Sequence, residues 1–535
     1  MELVCVSPSY YWITLPKIRQ KQLKTIQIVN RLLSREVPVF WVLEKTAGFS
    51  PGDFIVPANA VNNLEEKAEK YGVQVKLCKE NHSIRVRRLI RPKIAIYHTG
   101  GYRWSLFHSY TLEKFGFTLR LCSAKDIEKG ILEHFNVLII PGGDSFSKLE
   151  PLTPMGREKL LNFIFEGGGC FATCGGAAIF MEGGLNIVKA RRDRLIHGLH
   201  GPILIRIVRP EHPVWFGYEK NVIMPVFHGF SFKVLDSNNV LVLGVYDGFT
   251  SKSYVWDLRV LDILPRKWVE YKEEYGFTLD PYKMLGTPAI LEANYGKGKI
   301  ILSYPHPEAI DWDLSHRFVA NVIYYLASKK LPSLKLRTKK SNRKGDMEKA
   351  VLRLRGRIGR IKSVLGWMDD LCSDVAYSWV MRYDMVNPRR ETFWSRLTDL
   401  IALTDECSRH IEDLKNVLKN LGKDEQKHFA SVLDKLVKPL DEALEKLNKN
   451  LKPNILRLIN LKKRIKQFEK KNASEERLEE LQKELQKLAK KTFGVGGPRG
   501  KLALSYAFIL RRLDIAFYYL TNIKLHVLDL LANAG

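Results

Sequence analysis

The sequence predicts an α/β protein whose central part, residues 91–332, is a flavodoxin-like three-layer fold around a parallel sheet. Short apolar runs alternate with segments of helical spacing from Lys93 onward, a pattern typical of a parallel sheet covered on both faces. A cysteine and a histidine each follow an apolar run, where such sheets gather function. A small α/β segment at 1–90, a basic linker at 333–348 and an all-α bundle or coiled coil at 349–535 complete the prediction.

Length and composition limit the class of protein. A chain of 535 residues exceeds what one hydrophobic core usually supports, so two or three domains are expected. No uncharged apolar run of about 18 residues occurs, and the first residues lack the pattern of a signal peptide. Seven cysteines without a C-x-x-C pair argue against a zinc ribbon or a secreted disulfide scaffold. We expect a cytoplasmic protein with no membrane contact, cofactor or metal.

The charge of the chain is strongly basic. Its formal net charge of +28 comes from 86 Lys and Arg against 58 Asp and Glu. Residues 331–535 hold about 43 Lys and Arg against about 26 Asp and Glu, so the surplus is concentrated there. This surplus fits attraction to nucleic acid or a charged helical surface of the kind found in heat-adapted proteins. We favour the second, because no zinc motif, arginine–glycine tract or aromatic RNA-binding signature accompanies the charge.

The N-terminal segment is predicted to mix strands and helices, and it carries no catalytic constellation. Helical spacing covers 18–37, and Pro51-Gly52 marks a turn between two apolar runs. We predict strands over 39–43, 53–56 and 73–77 and a second helix over 58–71.

The central segment is predicted to place four strands side by side. We expect strands over 94–97, 118–121, 136–140 and 170–174, separated by helices over 104–115, 124–135 and 155–165. The third strand leads into the loop Pro141–Asp144, and the fourth ends at Cys174. Both positions are carboxyl ends of strands, which in such sheets face the ligand.

The next segment is predicted to extend the edge of that sheet. Residues 184–290 are rich in candidate strands, at 203–208, 222–225, 230–234 and 240–246. A hairpin follows, with strands over 288–294 and 300–304 joined by a glycine-rich turn, and its second strand delivers His306. A helix over 314–327 closes the module.

The C-terminal segment is predicted to be almost wholly helical. The run KKSNRKG at 339–345 indicates a solvated linker before it. A leucine stripe with a/d spacing and a similar stripe upstream favour an antiparallel bundle or hairpin coiled coil: Leu478, Leu481, Leu485 and Leu488, and Leu456, Leu458, Ile459, Leu461 and Ile465. The run GVGGP at 494–498 breaks the pattern before a final apolar helix over 502–531.

Cys174 has the local sequence of a nucleophile. Small residues surround it in ATCGGA, as a tight strand-to-helix turn requires. The backbone N–H groups of Gly175 and Gly143 are placed to form an oxyanion hole, and a helix starting at Gly175 would lower the thiol pKa. The expected substrate-facing residues are Gly142, Gly143, Asp144, Gly175 and Gly176. The alternative is a buried structural cysteine, the role we assign to Cys170.

His306 and Glu308 have the pattern of a base and its orienting carboxylate. Prolines on both sides hold the backbone of His306, and Glu308 lies two residues on, within reach of the imidazole. The alternative is a capping or packing histidine at a strand end. His197, His200 and His212 match no recognised metal-ligand spacing. The GKG run at 296–298 lacks the rest of a phosphate loop and is assigned to a hairpin turn.

These motifs resemble those of the class I glutamine amidotransferase-like superfamily. The resemblance rests on IIPGG at 139–143, CGGA at 174–177, and GKG at 296–298 leading to HPE at 306–308. Within the superfamily, 93–328 is most similar to the N-terminal domain of biotin–protein ligase. The resemblance implies a triad of the nucleophile Cys174, the base His306 and the carboxylate Glu308.

The sequence departs from that superfamily in ways that bear on the substrate. The strand-to-helix turn at Cys174 corresponds to the nucleophile elbow of that superfamily. Ala172 stands where this elbow usually has glycine, and no glutamine follows shortly after it. No ATP-binding synthetase domain is present to receive ammonia, so glutamine is not implied as substrate. We expect a cysteine amidase or hydrolase acting on a small-molecule or peptide amide or ester. The alternative is a non-catalytic ligand-binding or scaffold protein whose C-terminal helices bind a protein partner or self-associate; nucleic acid is a less favoured partner.

Overall fold

The structure is a computed structural model that describes two compact units. The described residues are 2–6, 9–16, 19–46, 48–78, 80–99, 102–255, 258–275, 280–310, 312–329, 331, 346–376, 393–470, 474–493 and 501–534. The first unit is Met1–Leu334, and the second comprises Lys335–Asp384 and Pro388–Gly535. Most of the predicted linker, 333–348, lies outside the described residues.

The first unit begins with an antiparallel sheet of six strands in the order β1-β6-β3-β4-β2-β5. The strands are β1 (Glu2–Val6), β2 (Tyr10–Ile13), β3 (Phe40–Val42), β4 (Phe54–Pro57), β5 (Val75–Leu77) and β6 (His82–Arg88). The helices are α1 (Arg19–Ser34) and α2 (Leu64–Glu69). The predicted helix over 58–71 is therefore too long, because a 3₁₀ turn at Ala58–Ala60 precedes α2.

A second sheet of eleven strands forms the centre of the unit. Its strands are β7 (Ile94–Tyr97), β8 (Leu119–Cys122), β9 (Val137–Ile140), β10 (Gly169–Thr173), β11 (Ala190–Ile207), β12 (Asn221–Val234), β13 (Val240–Phe249), β14 (Tyr254–Val255), β15 (Leu258–Arg259), β16 (Pro288–Tyr295) and β17 (Gly298–Ser303). Strands β8-β7-β9-β10-β17 are parallel. In chain order this is 2-1-3-4-5, the flavodoxin-like arrangement. The predicted fold class is confirmed.

The rest of that sheet is antiparallel, so the sheet is mixed rather than wholly parallel. Beyond β17 the order is β16-β13-β11-β14-β15, with β12 also paired to β11. This is the predicted extension at the sheet edge. The two strands predicted at 222–225 and 230–234 are one strand, β12, because the backbone stays paired through a bulge beside His228, whose φ is 68°.

Helices cover the parallel strands, whose residues are buried almost throughout. The helices in this part of the chain are α3 (Tyr102–Lys114), α4 (Ala124–Glu128), α5 (Phe146–Leu149), α6 (Pro154–Phe165), α7 (Gly175–Ala178), α8 (Pro265–Tyr275) and α9 (His316–Leu326). Of these, α3, α4, α6, α7 and α9 contact the parallel strands. Helix α3 contacts α9, and α4 contacts α6. The helix predicted over 124–135 ends early because Gly130 adopts a φ of 82°, and a 3₁₀ turn follows.

All secondary-structure elements in the described residues of the second unit are helical. Its helices are α10 (Met347–Ala376), α11 (Phe393–Val417), α12 (Lys423–Asp434), α13 (Val437–Lys446), α14 (Lys452–Lys470), α15 (Glu475–Phe493) and α16 (Lys501–Ala534). A π-helical turn, Leu447–Leu451, connects α13 to α14. No helix within the described parts of the chain is long and apolar enough to cross a membrane.

Helices α14 and α15 pack through the predicted leucine stripes. Leu461, Ile465, Leu481 and Leu485 form one buried cluster. Leu456 departs from the prediction, since it is 37% exposed. A coiled coil remains a prediction for this pair, and the predicted break at 494–498 lies outside the described residues.

Candidate active site

Cys174 lies on a sharp turn between β10 and α7. Its φ of 49° and ψ of −123° place it in a region that residues with a side chain rarely adopt. The turn is held by the backbone N–H of Cys174, which donates to the carbonyl of Ser303 on the neighbouring strand at 2.7 Å. The cysteine is only 5% exposed. The predicted elbow conformation is therefore present.

Three glycines allow the elbow to approach its neighbours. A Cβ on Gly175 would lie 1.6 Å from the carbonyl oxygen of Gly143, and a Cβ on Gly142 would lie 2.7 Å from Cε1 of His306. Gly176 faces the backbone, because its Cβ would lie 2.4 Å from the carbonyl oxygen of Ile140. No side chain fits at these positions without displacing the site.

His306 and Glu308 form a buried pair just beyond β17. Nδ1 of His306 lies 2.8 Å from Oε1 of Glu308, and both side chains are fully buried. The imidazole stacks on the indole of Trp104, with ring centroids 4.3 Å apart and planes at 23°. The backbone N–H of His306 donates to the carbonyl of Pro225 at 2.7 Å. These contacts fix both the position and the tilt of the ring.

The imidazole of His306 lies beside Cys174, because a Cβ on Gly142 would be 2.7 Å from Cε1 of His306 and 3.2 Å from Cβ of Cys174. Nε2 of His306 has no hydrogen-bond partner among the described residues. Burial opposes ionisation of Cys174, but His306 and two backbone N–H groups outweigh it, so the pKa of the thiol is lowered. Burial also disfavours charge on His306, yet Glu308 and Cys174 raise its pKa. Both shifts favour a thiolate beside an imidazolium. The structure thus brings the three predicted triad residues together.

The backbone donors predicted for an oxyanion hole face the sulfur. The backbone N–H groups of Gly143 and Gly175 both help to lower the pKa of Cys174. Helix α7 has only four residues. The lowering of the thiol pKa that we expected from a helix dipole is therefore supplied by these two N–H groups. Asp144 is placed differently: it is exposed, and its Oδ2 accepts from the N–H of Ser147 at 2.7 Å.

Glu308 is surrounded by residues that were not predicted to belong to the site. Its Oε1 accepts from Oγ1 of Thr173 at 3.2 Å and lies 3.4 Å from Nε2 of His108. Burial lowers the pKa of His108 to about 4, which keeps that ring neutral at pH 7. Burial raises the pKa of Glu308, but the neighbouring groups, His108 and His306 foremost, outweigh burial, so the pKa of this carboxyl is lowered.

One sequence signal could have indicated these residues. Trp104 and His108 are four residues apart in α3, which follows directly after the first parallel strand. A tryptophan and a histidine on one face of a helix that is otherwise buried indicate that this face borders a functional site and does not face solvent. Thr173 offers no such signal, because a threonine before the elbow is also an ordinary strand residue.

The histidines considered as metal ligands lie in other surroundings. His212 pairs with Glu292 at 2.7 Å, and Lys299 donates to the same carboxylate at 2.7 Å. Burial opposes ionisation of Glu292, but these two partners lower its pKa to about 2. His200 stacks on Tyr254, with centroids 6.0 Å apart. The side chain of His197 lies outside the described residues.

Comparisons with known proteins give matches to solved structures only. No protein-family model matches the chain, and no curated protein matches it. The solved structures include a protein assigned to GMP synthase from Thermoplasma acidophilum, with 13% identity and a TM-score of 0.30. That match covers 44% of this chain and 94% of the other.

Two further solved structures match the same share of the chain. PurLQS from Thermotoga maritima matches with 17% identity and a TM-score of 0.29, covering 44% of this chain and 100% of that one. The cytoplasmic protein STM1381 from Salmonella typhimurium LT2 matches with 13% identity and a TM-score of 0.29, covering 44% and 98%. At these identities and TM-scores, the matches carry no conclusion about what this chain does.

Proposed function

We propose that the chain is a cysteine-dependent amidase or hydrolase in which Cys174 is the nucleophile, His306 the base and Glu308 the orienting carboxylate. The observation that carries this proposal is that Cys174 and His306 lie on either side of Gly142 at the carboxyl ends of neighbouring parallel strands, with His306 paired to Glu308 at 2.8 Å. The resemblance to the glutamine amidotransferase-like superfamily, and to its biotin–protein ligase subgroup, belongs to the same proposal.

The first half of the reaction forms a thioester. The Cys174 thiolate attacks the carbonyl carbon, and the carbonyl π electrons move onto oxygen. The N–H groups of Gly143 and Gly175 are positioned to donate to this oxyanion, and one such donor typically contributes about 3 kcal/mol. As the intermediate collapses, the bond to the leaving amine or alcohol breaks. His306 gives its Nε2 proton to that group, which departs.

The second half hydrolyses the thioester. Neutral His306 takes a proton from water through Nε2 while the water oxygen attacks the thioester carbonyl. The C–S bond of the second tetrahedral intermediate then breaks, the acid leaves, and the thiolate–imidazolium pair is restored. Glu308 holds the tautomer in which Nδ1 carries a proton, as a triad carboxylate does. Overall, an amide or ester and water give an acid and an amine or alcohol.

Acylation of Cys174 by p-nitrophenyl acetate tests this proposal. The wild-type chain is expected to release nitrophenolate and to carry an acetyl group on the peptide that contains Cys174, detected by mass spectrometry after acid quenching. Cys174→Ala is the control, with its fold checked by circular dichroism. Acetylation confined to surface lysines, or equal nitrophenolate release by wild type and variant, would contradict the proposal.

A second candidate function is a ligand-binding or scaffold protein. The observation that favours it is the second unit, whose long helix α10 exposes Leu352 and Trp367 by 55% and 37%. Such surfaces can bind a partner helix or a second copy of the chain. The acylation experiment separates the two functions, because a scaffold needs no acyl group on Cys174.

A further inference from the structure

A buried lysine lies beside the proposed nucleophile. Lys148 belongs to α5, which follows the loop Pro141–Asp144. Its side chain is 1% exposed, while Phe146, two residues earlier, is 69% exposed, so the lysine points into the protein. The turn is anchored to the end of β7, because Oη of Tyr97 donates to the carbonyl of Lys148 at 2.9 Å. The position of Lys148 is therefore fixed by the fold.

The ammonium group of Lys148 lies near the turn that holds the thiol. Its Nζ is 3.9 Å from the point that a Cβ of Gly143 would occupy, and the backbone N–H of Gly143 is one of the groups that lower the pKa of Cys174. Burial lowers the pKa of Lys148 to about 8, and Cys174 and Asp144 are the anions that raise it. At pH 7 the lysine is still mainly protonated. The site therefore contains a second cation besides the imidazolium.

Lys148 has no hydrogen-bonded carboxylate among the described residues. Asp144 is bound to the N–H of Ser147 instead. A buried ammonium without a bonded anion is rare, because its lost hydration is normally replaced by an ion pair. Acylation also converts the Cys174 thiolate to a neutral thioester, which removes one of the two anions near Lys148. An anion carried by the substrate would supply the missing partner.

We infer that Nζ of Lys148 binds a carboxylate of the substrate, so that the site acts on amides or esters that carry a carboxylate close to the scissile carbonyl. This inference rests on the proposed function and narrows its substrate class. An ammonium–carboxylate contact in a buried site is a strong, charge-assisted hydrogen bond. It would orient the carbonyl toward Cys174 and the N–H groups of Gly143 and Gly175.

Matched alkylating reagents test the inference without a known substrate. Iodoacetate and iodoacetamide differ only in carrying a carboxylate or a neutral amide, and 3-bromopropionate and 3-bromopropionamide repeat the comparison one methylene longer. Rate constants for alkylation of Cys174 at pH 7 are measured for the wild type and for Lys148→Met. A change in the thiolate fraction affects both members of a pair equally, so the anionic-to-neutral ratio isolates recognition of the carboxylate.

The ratio for at least one pair is expected to fall about tenfold or more in Lys148→Met, the effect of losing one charge-assisted contact. Arg192 is the matched control: it is exposed and donates to Oγ of Ser145 at 3.3 Å. Arg192→Met is expected to change the ratio less than twofold, because solvent screens its charge.

Three results would overturn the inference. Equal ratios in the wild type and Lys148→Met would show that the lysine does not recognise a carboxylate, while leaving the proposed function intact. An equal fall of the anionic-to-neutral ratio in Arg192→Met would show that the anionic reagents respond to a general positive potential and not to a contact with Lys148. Failure of both neutral reagents to label wild-type Cys174, in a folded chain, would contradict the proposed function and this inference together.

Discussion

His306→Asn is expected to slow alkylation of Cys174 by iodoacetamide at pH 6.5 by on the order of a hundredfold. The thiolate is the reactive form, and His306 is the largest of the influences that lower the thiol pKa. Without the imidazole of His306, burial of Cys174 opposes ionisation of its thiol. The higher thiol pKa leaves a smaller thiolate fraction at pH 6.5, and the alkylation rate falls with that fraction. The measurement is the alkylation rate of the peptide that contains Cys174, followed by mass spectrometry.

His212→Asn is the matched control for that variant. His212 is also largely buried and also paired with a glutamate, Glu292, but it belongs to a separate network. Its replacement is expected to leave the alkylation rate of Cys174 within about twofold of wild type. If His306→Asn and wild type alkylate at the same rate, the imidazole does not activate the thiol and the triad is not a catalytic unit.

Gly175→Ala is expected to destabilise the first unit by about 3 kcal/mol and to abolish alkylation of Cys174 under native conditions. The added Cβ would lie 1.6 Å from the carbonyl oxygen of Gly143, and neither backbone can yield without moving the other. The shift would separate the two N–H groups that face the sulfur. Denaturant unfolding, followed by tryptophan fluorescence, measures the loss in the free energy of unfolding.

Gly248→Ala is the control for the glycine prediction. A Cβ there meets its nearest neighbour, Cδ2 of Leu204, at 3.7 Å, which is an ordinary contact. Its free energy of unfolding should stay within about 1 kcal/mol of wild type. An equal effect of Gly175→Ala and Gly248→Ala would mean that the elbow tolerates a side chain, contrary to the close approach of Gly143.

The proximity of Cys174, His306 and Glu308 could be predicted from the sequence because these residues lie in two local patterns. The small residues after Cys174 indicate a tight turn, and Glu308 lies two residues after His306. Each pattern also follows an apolar strand, and parallel strands bring their carboxyl ends to one edge. Local sequence and one rule of topology were therefore enough to place the three side chains together.

The remaining site residues depend on tertiary packing. Trp104, which stacks on His306, and Lys148, which is buried beside Cys174, come from segments with no catalytic pattern. Lys148 is unusual only because it is buried, and a lysine in a polar loop is normally exposed. Sequence periodicity reports which face of an element is apolar, and it cannot show which polar side chain a neighbouring element will enclose.

The missed strands have a similar cause. In β6 (His82–Arg88) only Ile84 and Val86 are buried, and charged residues occupy the positions between them. With only two buried residues, the sequence pattern cannot distinguish a half-buried strand from a loop. The strand β12 was predicted as two strands, 222–225 and 230–234, with Phe227-His228-Gly229 between them. A bulge, which keeps the strands paired, has the same composition as a turn.

The pH dependence of Cys174 alkylation by iodoacetamide in the wild-type chain probes the thiolate–imidazolium pair most directly. The rate is expected to fall as pH drops through the thiol pKa, with its midpoint below the ordinary value of 9.0. Glu308→Gln should move that midpoint upward, because the carboxylate that raises the pKa of His306 is lost. A wild-type midpoint at or above 9.0, as burial alone would produce, would contradict an activated cysteine at this site.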